Sequence, residues 1–215
     1  MTDDLLAAQV AYYRHRAGDY DVSAYGDVAA AGVRIGRLVS AMRPRGHVLE
    51  IACGTGMWTE AIAGLAARVT AIDAVPEVVE IARHRVQAAN VTFEVAEVFS
   101  WSTSVRFDTI FFAAWLSHVP ASRYEEFWQL LRGWLDDQGR VLFVDEHVDL
   151  RARETYLSGS TEIVERRLRD GSHHRLVKHF LDPDELCDRL RTLGWRSHLH
   201  RDGDWVIGGA VPAAG

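Results

Sequence analysis

The stretch Val48-Leu49-Glu50-Ile51-Ala52-Cys53-Gly54-Thr55-Gly56 decides the reading of this chain. From His47 to Ala52 it is a short apolar run with a glycine-rich turn directly behind it, the pattern of a buried strand. Trp58, Ile62, Leu65 and Ala66 then mark one face of a helix. A strand, a glycine turn and a helix in that order open a parallel α/β unit. In such a sheet ligands bind at the carboxyl ends of the strands, where this turn sits. Glycines there let the backbone approach a ligand closely and take up positive φ.

The pattern continues on both sides. Ile35, Leu38, Val39 and Met42 fall at i, i+3, i+4 and i+7, which predicts an amphipathic helix over about 28–43, ended by Pro44-Arg45-Gly46. Arg68 to Ile72 reads as a second strand closing on Asp73. Pro76 opens a helix carrying Val78, Val79, Ala82 and Val86. Val91–Val95 and Phe107–Phe112 read as third and fourth strands. Tyr124, Phe127, Trp128, Leu131, Trp134 and Leu135 stripe a helix that Gly139 closes before a fifth strand, Arg140 to Asp145. This alternation argues for a parallel sheet with helices on both faces. The later part differs. Thr161–Arg169 and Ser172–Phe180 flank Asp170-Gly171, a hairpin-turn pair. A helix follows Pro183, and Trp195–His200 and Trp205–Val211 flank Arg201-Asp202-Gly203-Asp204 as a second hairpin. The sheet is therefore expected to close with antiparallel strands, and nothing reads as a linker between independent domains.

Composition narrows the class. At 215 residues, 48% hydrophobic and 25% charged, the chain can bury a large core, which excludes wholesale disorder. The net charge of −6 gives no global basic excess for non-specific phosphate binding. Cys53 and Cys187 are far apart and fit no paired metal motif, so reduced thiols in the cytoplasm are the simplest reading. The Met1-Thr2-Asp3-Asp4 start lacks the features of a signal peptide, and no apolar run suits a membrane span.

The turn itself discriminates between ligands. The dinucleotide fingerprint Gly-x-Gly-x-x-Gly fails, because its third glycine would fall at Thr59. No phosphate-binding lysine follows the turn, so it is not a P-loop. Asp73 closes the next strand, where an acid can accept hydrogen bonds from ribose hydroxyls. The expected ligand is a nucleoside that does not depend on a pyrophosphate cradle.

At these residues the sequence resembles the class I S-adenosylmethionine-dependent methyltransferases of small-molecule type. Val48–Gly56 is similar to the family's first motif, with Glu50 in the acidic position and Ala52 in place of the first of three glycines. The resemblance implies an α/β, doubly wound, mostly parallel seven-stranded sheet with antiparallel C-terminal strands. It implies one domain over 1–215, with an N-terminal helical lid at 1–27 and an inserted β-hairpin at 161–180. S-adenosyl-L-methionine would be held by Glu50, Ala52, Gly54, Gly56 and Trp58 around the turn and by Asp73 and Ala74 at the ribose. Glu97 and Val98 would meet the adenine, and Phe112 and Ala113 the methionine end. Tyr12-Tyr13-Arg14-His15-Arg16-Ala17-Gly18-Asp19-Tyr20-Asp21 resembles the Tyr-rich lid of such enzymes, with Tyr13, Arg16 and Tyr20 toward the cofactor and Arg16 suited to a carboxylate. The plain alternative is a surface helix whose aromatics seal the core.

Methyl transfer needs a nucleophile aligned with a sulfonium, and a base where the acceptor carries a proton. Candidates sit after strands four and five: His118, Glu146 and His147, with Trp115 near the acceptor. Each has a structural alternative as a helix-capping or loop residue. His118, Asp145, Glu146 and His147 could in principle hold a metal, but no metal is expected. His173, His174 and His179 read as decoration of the hairpin. The expected partner is a small-molecule methyl acceptor rather than nucleic acid or a membrane, and the hairpin edge could cover the pocket or pair two copies as a homodimer. An RNA or protein methyltransferase, a non-catalytic cofactor-binding protein of the same fold and a nicotinamide-dependent dehydrogenase stay open as alternatives.

Overall fold

Strand β1 (His47–Ile51) is held at its start by a contact that only glycine permits. Gly46 has φ +68°, and a Cβ there would fall 2.2 Å from Asp108 Oδ2. That oxygen accepts a hydrogen bond from His47 N at 2.7 Å, so β4 (Phe107–Ala113) is pinned beside β1. The two run parallel, with Val48 opposite Thr109 and Ile51 opposite Phe112. On the other side β2 (Arg68–Asp73) pairs parallel with β1, and β3 (Val91–Val95) with β2. Val48, Leu49, Ile51, Val69, Ile72, Ile110, Phe111 and Phe112 are all buried, as expected of parallel strands covered on both faces. Each such side chain contributes about 1.5–3 kcal/mol of hydrophobic burial.

This computed structural model describes residues 2–168 and 170–213. Arg169 of the expected hairpin and Ala214-Gly215 of the tail lie outside the described residues. The seven strands of the main sheet run in the order β3-β2-β1-β4-β5-β9-β8. Here β5 is Leu135–Glu146, β8 Trp195–Asp202 and β9 Trp205–Pro212. β9 lies antiparallel to both β5 and β8. The doubly wound reading with antiparallel closing strands is therefore the observed one. A separate two-stranded antiparallel sheet joins β6 (Ile163–Arg167) to β7 (His173–Val177).

The helices follow their local signals. α1 is Thr2–Arg16 and α2 Tyr20–Tyr25. α3 (Val28–Met42) is N-capped by Asp27, whose Oδ1 accepts from Ala30 N at 3.0 Å. α4 is Met57–Ala63, and α5 (Pro76–Arg85) starts on proline. α6 (Tyr124–Trp134) buries Tyr124, Phe127, Trp128, Leu131 and Trp134. α7 (Pro183–Thr192) is N-capped by Asp182.

Two boundaries differ from the sequence reading. Leu65 lies beyond the end of α4 and is 46% exposed, so it is no part of the apolar face. β5 begins at Leu135, and Gly139 lies within it rather than ending the helix before it. A Cβ on Gly139 would come within 2.8 Å of Phe107 O and 2.9 Å of Asp136 O. The polar run Asp136-Asp137-Gln138, expected within the helix that Gly139 closes, occupies exposed strand positions. Among the described residues no helix is long and apolar enough to cross a membrane.

The chain forms two compact units. One comprises residues 13–112 and 134–139, the other the described residues of 2–12, 113–133 and 140–213.

Candidate active site

In the first unit the backbone turns sharply after β1. Ala52, Gly54 and Gly56 all have positive φ, at 54°, 53° and 83°. Ala52 holds the left-handed conformation that glycine adopts without strain, at a cost of about 1–2 kcal/mol. A Cβ on Gly54 would meet nothing within 4 Å, so the turn presents open backbone at that point. Gly56 is closed in. A Cβ there would sit 3.0 Å from Ala82 Cβ and 3.1 Å from Ala82 Cα, so glycine lets α5 press against the turn. Asp73, at the end of β2, accepts from Gly54 N through Oδ2 and from Val75 N through Oδ1, both at 2.9 Å. Burial raises its pKa, and these backbone donors work against that rise. Ala74 N–H is a third backbone donor to this carboxylate; a carboxylate has about four lone-pair sites, so some capacity is left for a ligand hydroxyl.

Glu50, on β1, is buried, and among the described residues its Oε2 has no hydrogen-bond partner. Burial pushes its pKa up to about 8; the Thr59 hydroxyl opposes this and the Asp73 charge adds to it. The carboxyl is therefore mostly protonated at neutral pH. Burial also lifts the Cys53 thiol well above its ordinary range, which makes it an inert packing group rather than a nucleophile. Glu97 Oε2 accepts from Ser100 N at 3.0 Å and so caps its own turn, with Val98 buried beside it.

The N-terminal segment in this unit is fastened to the glycine turn. Thr55 Oγ1 donates to Asp21 Oδ1 at 2.5 Å, and Arg85 Nη1 donates to Thr55 O at 2.6 Å. Arg85 also pairs with Asp21, closing a triangle between α2, the turn and the end of α5. Trp58 Nε1 donates to Tyr25 Oη at 3.3 Å, and the Trp58 ring packs against Phe111. Tyr20 lies between Tyr13 and Tyr25, with ring centroids 6.1 and 6.4 Å away. The Arg16 guanidinium stands 5.0 Å from the Tyr20 ring and bonds Ser23 Oγ.

In the second unit a polar cluster forms around the turn after β4. His118 is 4% exposed and its Nδ1 lies 2.6 Å from Val177 O. A carbonyl only accepts, so Nδ1 carries the proton and Nε2 is the basic nitrogen. Burial, then the Lys178 charge, hold the imidazole well below its ordinary 6.5, so it is neutral at pH 7. Lys178 is itself 1% exposed; its Nζ donates to Ser117 Oγ at 3.0 Å and pairs with Glu146. Asp145, fully buried, accepts from Ser117 N and Glu146 N at 3.0 and 2.8 Å. Burial raises its pKa, against the pull of Lys178. His147 Nδ1 accepts from Asp149 N at 3.2 Å, capping the helical turn Val148–Arg153. Ala114 has φ 50°, a strained step just before Trp115. Tyr12 is buried against His174, with ring centroids 5.6 Å apart, and its hydroxyl meets Arg166.

A methyltransferase-domain family matches residues 48–139. The structure of a DhpI–SAH complex is 36% identical, with a TM-score of 0.85 over 97% of each chain. The chain belongs to the S-adenosylmethionine-dependent methyltransferases. A DhpI–SAM–HEP complex is similar at 37% identity and TM-score 0.84, covering 97% of this chain and 98% of that one. The ubiquinone biosynthesis O-methyltransferase of Xanthomonas campestris pv. campestris (strain B100) is 33% identical over 155 residues. Those residues are 69% of this chain and 62% of that relative, so the chain matches less than two thirds of its length.

Against the family pattern, the first unit brings together Glu50, Ala52, Gly54, Gly56, Trp58 and Asp73, with Tyr13, Arg16 and Tyr20 in one aromatic group. Phe112 is buried at the end of β4, and Ala74 and Ala113 are half-buried at their strand ends. Sequence reasoning missed the Asp21–Thr55–Arg85 triangle, whose members are 30 or more residues apart pairwise. It also missed Lys178, Ser117 and Asp145 as one buried cluster. Lys178 did carry a signal, being the only lysine among 24 basic residues. Among the described residues no group of three or more His, Cys, Asp or Glu could hold a metal ion.

Proposed function

We propose that the protein transfers a methyl group from S-adenosyl-L-methionine to the hydroxyl oxygen of a small molecule, with His118 as general base. The observation that carries this reading is the His118 imidazole, buried, neutral and protonated on Nδ1 by its contact with Val177 O. A neutral imidazole of that tautomer offers Nε2 to a proton, as a hydroxyl acceptor requires and a free amine does not. The curated relative's role as an O-methyltransferase supports the choice of oxygen.

The glycine turn fits the cofactor. Its open face at Gly54 lets a ligand reach backbone, and Asp73 retains acceptor capacity for a ribose hydroxyl. Gly54, Gly56, Ala52 and Asp73 would hold the nucleoside, with Ala74, Glu97 and Val98 along the adenine. Trp58, Phe112, Ala113, Tyr13, Arg16 and Tyr20 would enclose the methionine arm. When bound, the cofactor supplies an activated methyl group whose sulfur leaves with the bonding electrons. The chain's own task is to exclude water, align the acceptor and accept its proton at His118 Nε2. Glu146 and His147, the other two catalytic candidates, serve as the partner of Lys178 and as a turn cap. The two thiols, neither in a disulfide, fit a cytoplasmic enzyme.

The test is a mass-spectrometric screen of small phenols, alcohols and amines with S-adenosylmethionine, repeated with His118→Gln. The reading expects hydroxyl methylation, lost by about 10²-fold or more in the variant with cofactor affinity kept. Turnover of amines alone, or full activity in the variant, overturns it.

A further inference from the structure

The segment Val177–Leu181, at the end of the hairpin, runs between two parts of the second unit. On one side are three bonds to the turn after β4. His118 Nδ1 donates to Val177 O at 2.6 Å, His179 N donates to Ser117 O at 2.7 Å, and Lys178 Nζ donates to Ser117 Oγ at 3.0 Å. Ala121 N donates to Glu162 Oε2 at 2.9 Å, and Glu162 O in turn accepts from Lys178 N at 2.7 Å. On the other side are bonds to the end of β5. Leu181 N donates to Glu146 O at 2.9 Å, Val148 N donates to Leu181 O at 3.0 Å, and the Lys178 ammonium pairs with Glu146. Tyr156 Oη closes the segment by donating to Lys178 O at 3.1 Å.

We propose that this hairpin end is a clamp that fixes the tautomer of His118, and that Lys178 is the positioning residue that holds it shut. The physical reason is the burial of Lys178. An ammonium 1% exposed cannot exchange its protein partners for water, so its contacts to Ser117 and Glu146 are obligatory in the folded state. Those contacts draw the turn carrying His118 and the end of β5 onto the same stretch of backbone. The carbonyl of Val177, one residue before Lys178, is thereby presented to Nδ1. A carbonyl in that place excludes the Nε2-protonated form, since two lone pairs would then oppose each other. The groups facing His118 are Lys178 and His179 from the clamp, Arg166 from β6, and Gln9 from α1, whose amide donates to His118 O. The cations also oppose formation of the imidazolium. The hairpin is thus part of the base's machinery rather than only a cover.

The proposal rests on the reading of His118 as base, and a readout independent of turnover separates the two. Nitrogen-15 spectra of the full chain labelled in histidine give the tautomer directly, with His118 assigned by its absence in His118→Gln. The parent is expected to show neutral His118 protonated on Nδ1 at pH 7. Lys178→Met should give a mixture of tautomers or a growing imidazolium signal at slightly acidic pH. Lys178→Met with Glu146→Gln removes both charges and serves as the version that folds if the single variant does not; the same change is expected. General base catalysis is worth about 10²–10⁴-fold, so partial loss of the productive tautomer should lower kcat about tenfold with KM for S-adenosylmethionine unchanged. An Nε2-protonated His118 in the parent, or an unchanged His118 signal in both variants, overturns the clamp. A clamp that behaves as expected while His118→Gln keeps full turnover leaves the clamp standing and refutes the base.

Discussion

Replacing Glu50 by glutamine should change how stability depends on pH. Glu50 is 2% exposed, and burial moves its pKa from the ordinary 4.5 up to about 8. In the unfolded chain the carboxyl loses its proton near 4.5; in the folded chain it holds it to about 8. The stabilising contribution is therefore fully present below pH 4.5 and is lost as pH rises toward 8, flattening above that. At about 1.4 kcal/mol per pH unit, the whole swing is about 5 kcal/mol. Glutamine keeps the size and cannot ionise, so it removes this slope. It can leave an amide N–H unpaired where Oε2 has no partner, a pH-independent penalty of about 1–3 kcal/mol. The quantity to compare is thus the difference between the two proteins at each pH, not stability at one pH. Urea unfolding of parent and Glu50→Gln, without cofactor, from about pH 5 to about pH 9 measures it. The variant should gain on the parent by several kcal/mol across that range, most of it by pH 8. Parallel curves would refute the reasoning, because they would mean that Glu50 is already ionised in the folded protein at about pH 5.

Asp73→Ala should cost stability even without cofactor, since it leaves Gly54 N and Val75 N without their acceptor at about 1–3 kcal/mol each, and should also weaken S-adenosylmethionine binding in calorimetry. Gly56→Ala forces a Cβ against Ala82 at φ +83° and should destabilise by about 2 kcal/mol or more in denaturant unfolding. Ala52→Gly relieves about 1–2 kcal/mol of left-handed strain but adds about 0.4–1 kcal/mol of chain entropy to the unfolded state, so a small net stabilisation is expected in the same assay. Asp21→Asn breaks the ion pair that holds α2 to Arg85, and cleavage by a protease within residues 13–27 should become faster; an unchanged rate would mean that the Thr55 bond suffices.

The sheet was readable because its causes are local. Short apolar runs ending in glycine or Asp73, and helical stripes such as Tyr124–Trp134, repeat at the periods that backbone geometry imposes. Where a strand carried Asp136-Asp137-Gln138 on exposed positions, the same rule failed and β5 was read as starting five residues too late. The glycine turn and Asp73 were also visible, since each depends on backbone conformation or on a fixed place at a strand end. Pairings across distance were not. Asp21 with Arg85, or Lys178 with Ser117 and Glu146, join residues that no period relates, and their chemistry exists only once both are taken from water together.

His118 shows the division most directly. Its place after the fourth strand marks it as a candidate from the sequence alone, alongside Glu146 and His147. Burial, the carbonyl of Val177 and the charge of Lys178 decide that it is neutral and which nitrogen is basic. The same folding commits His147 to a cap and Glu146 to an ion pair. Residue order determined the sheet, the turn and the family. Protonation state and tautomer were decided by the tertiary structure, because they depend on desolvation and on partners brought together from distant parts of the chain.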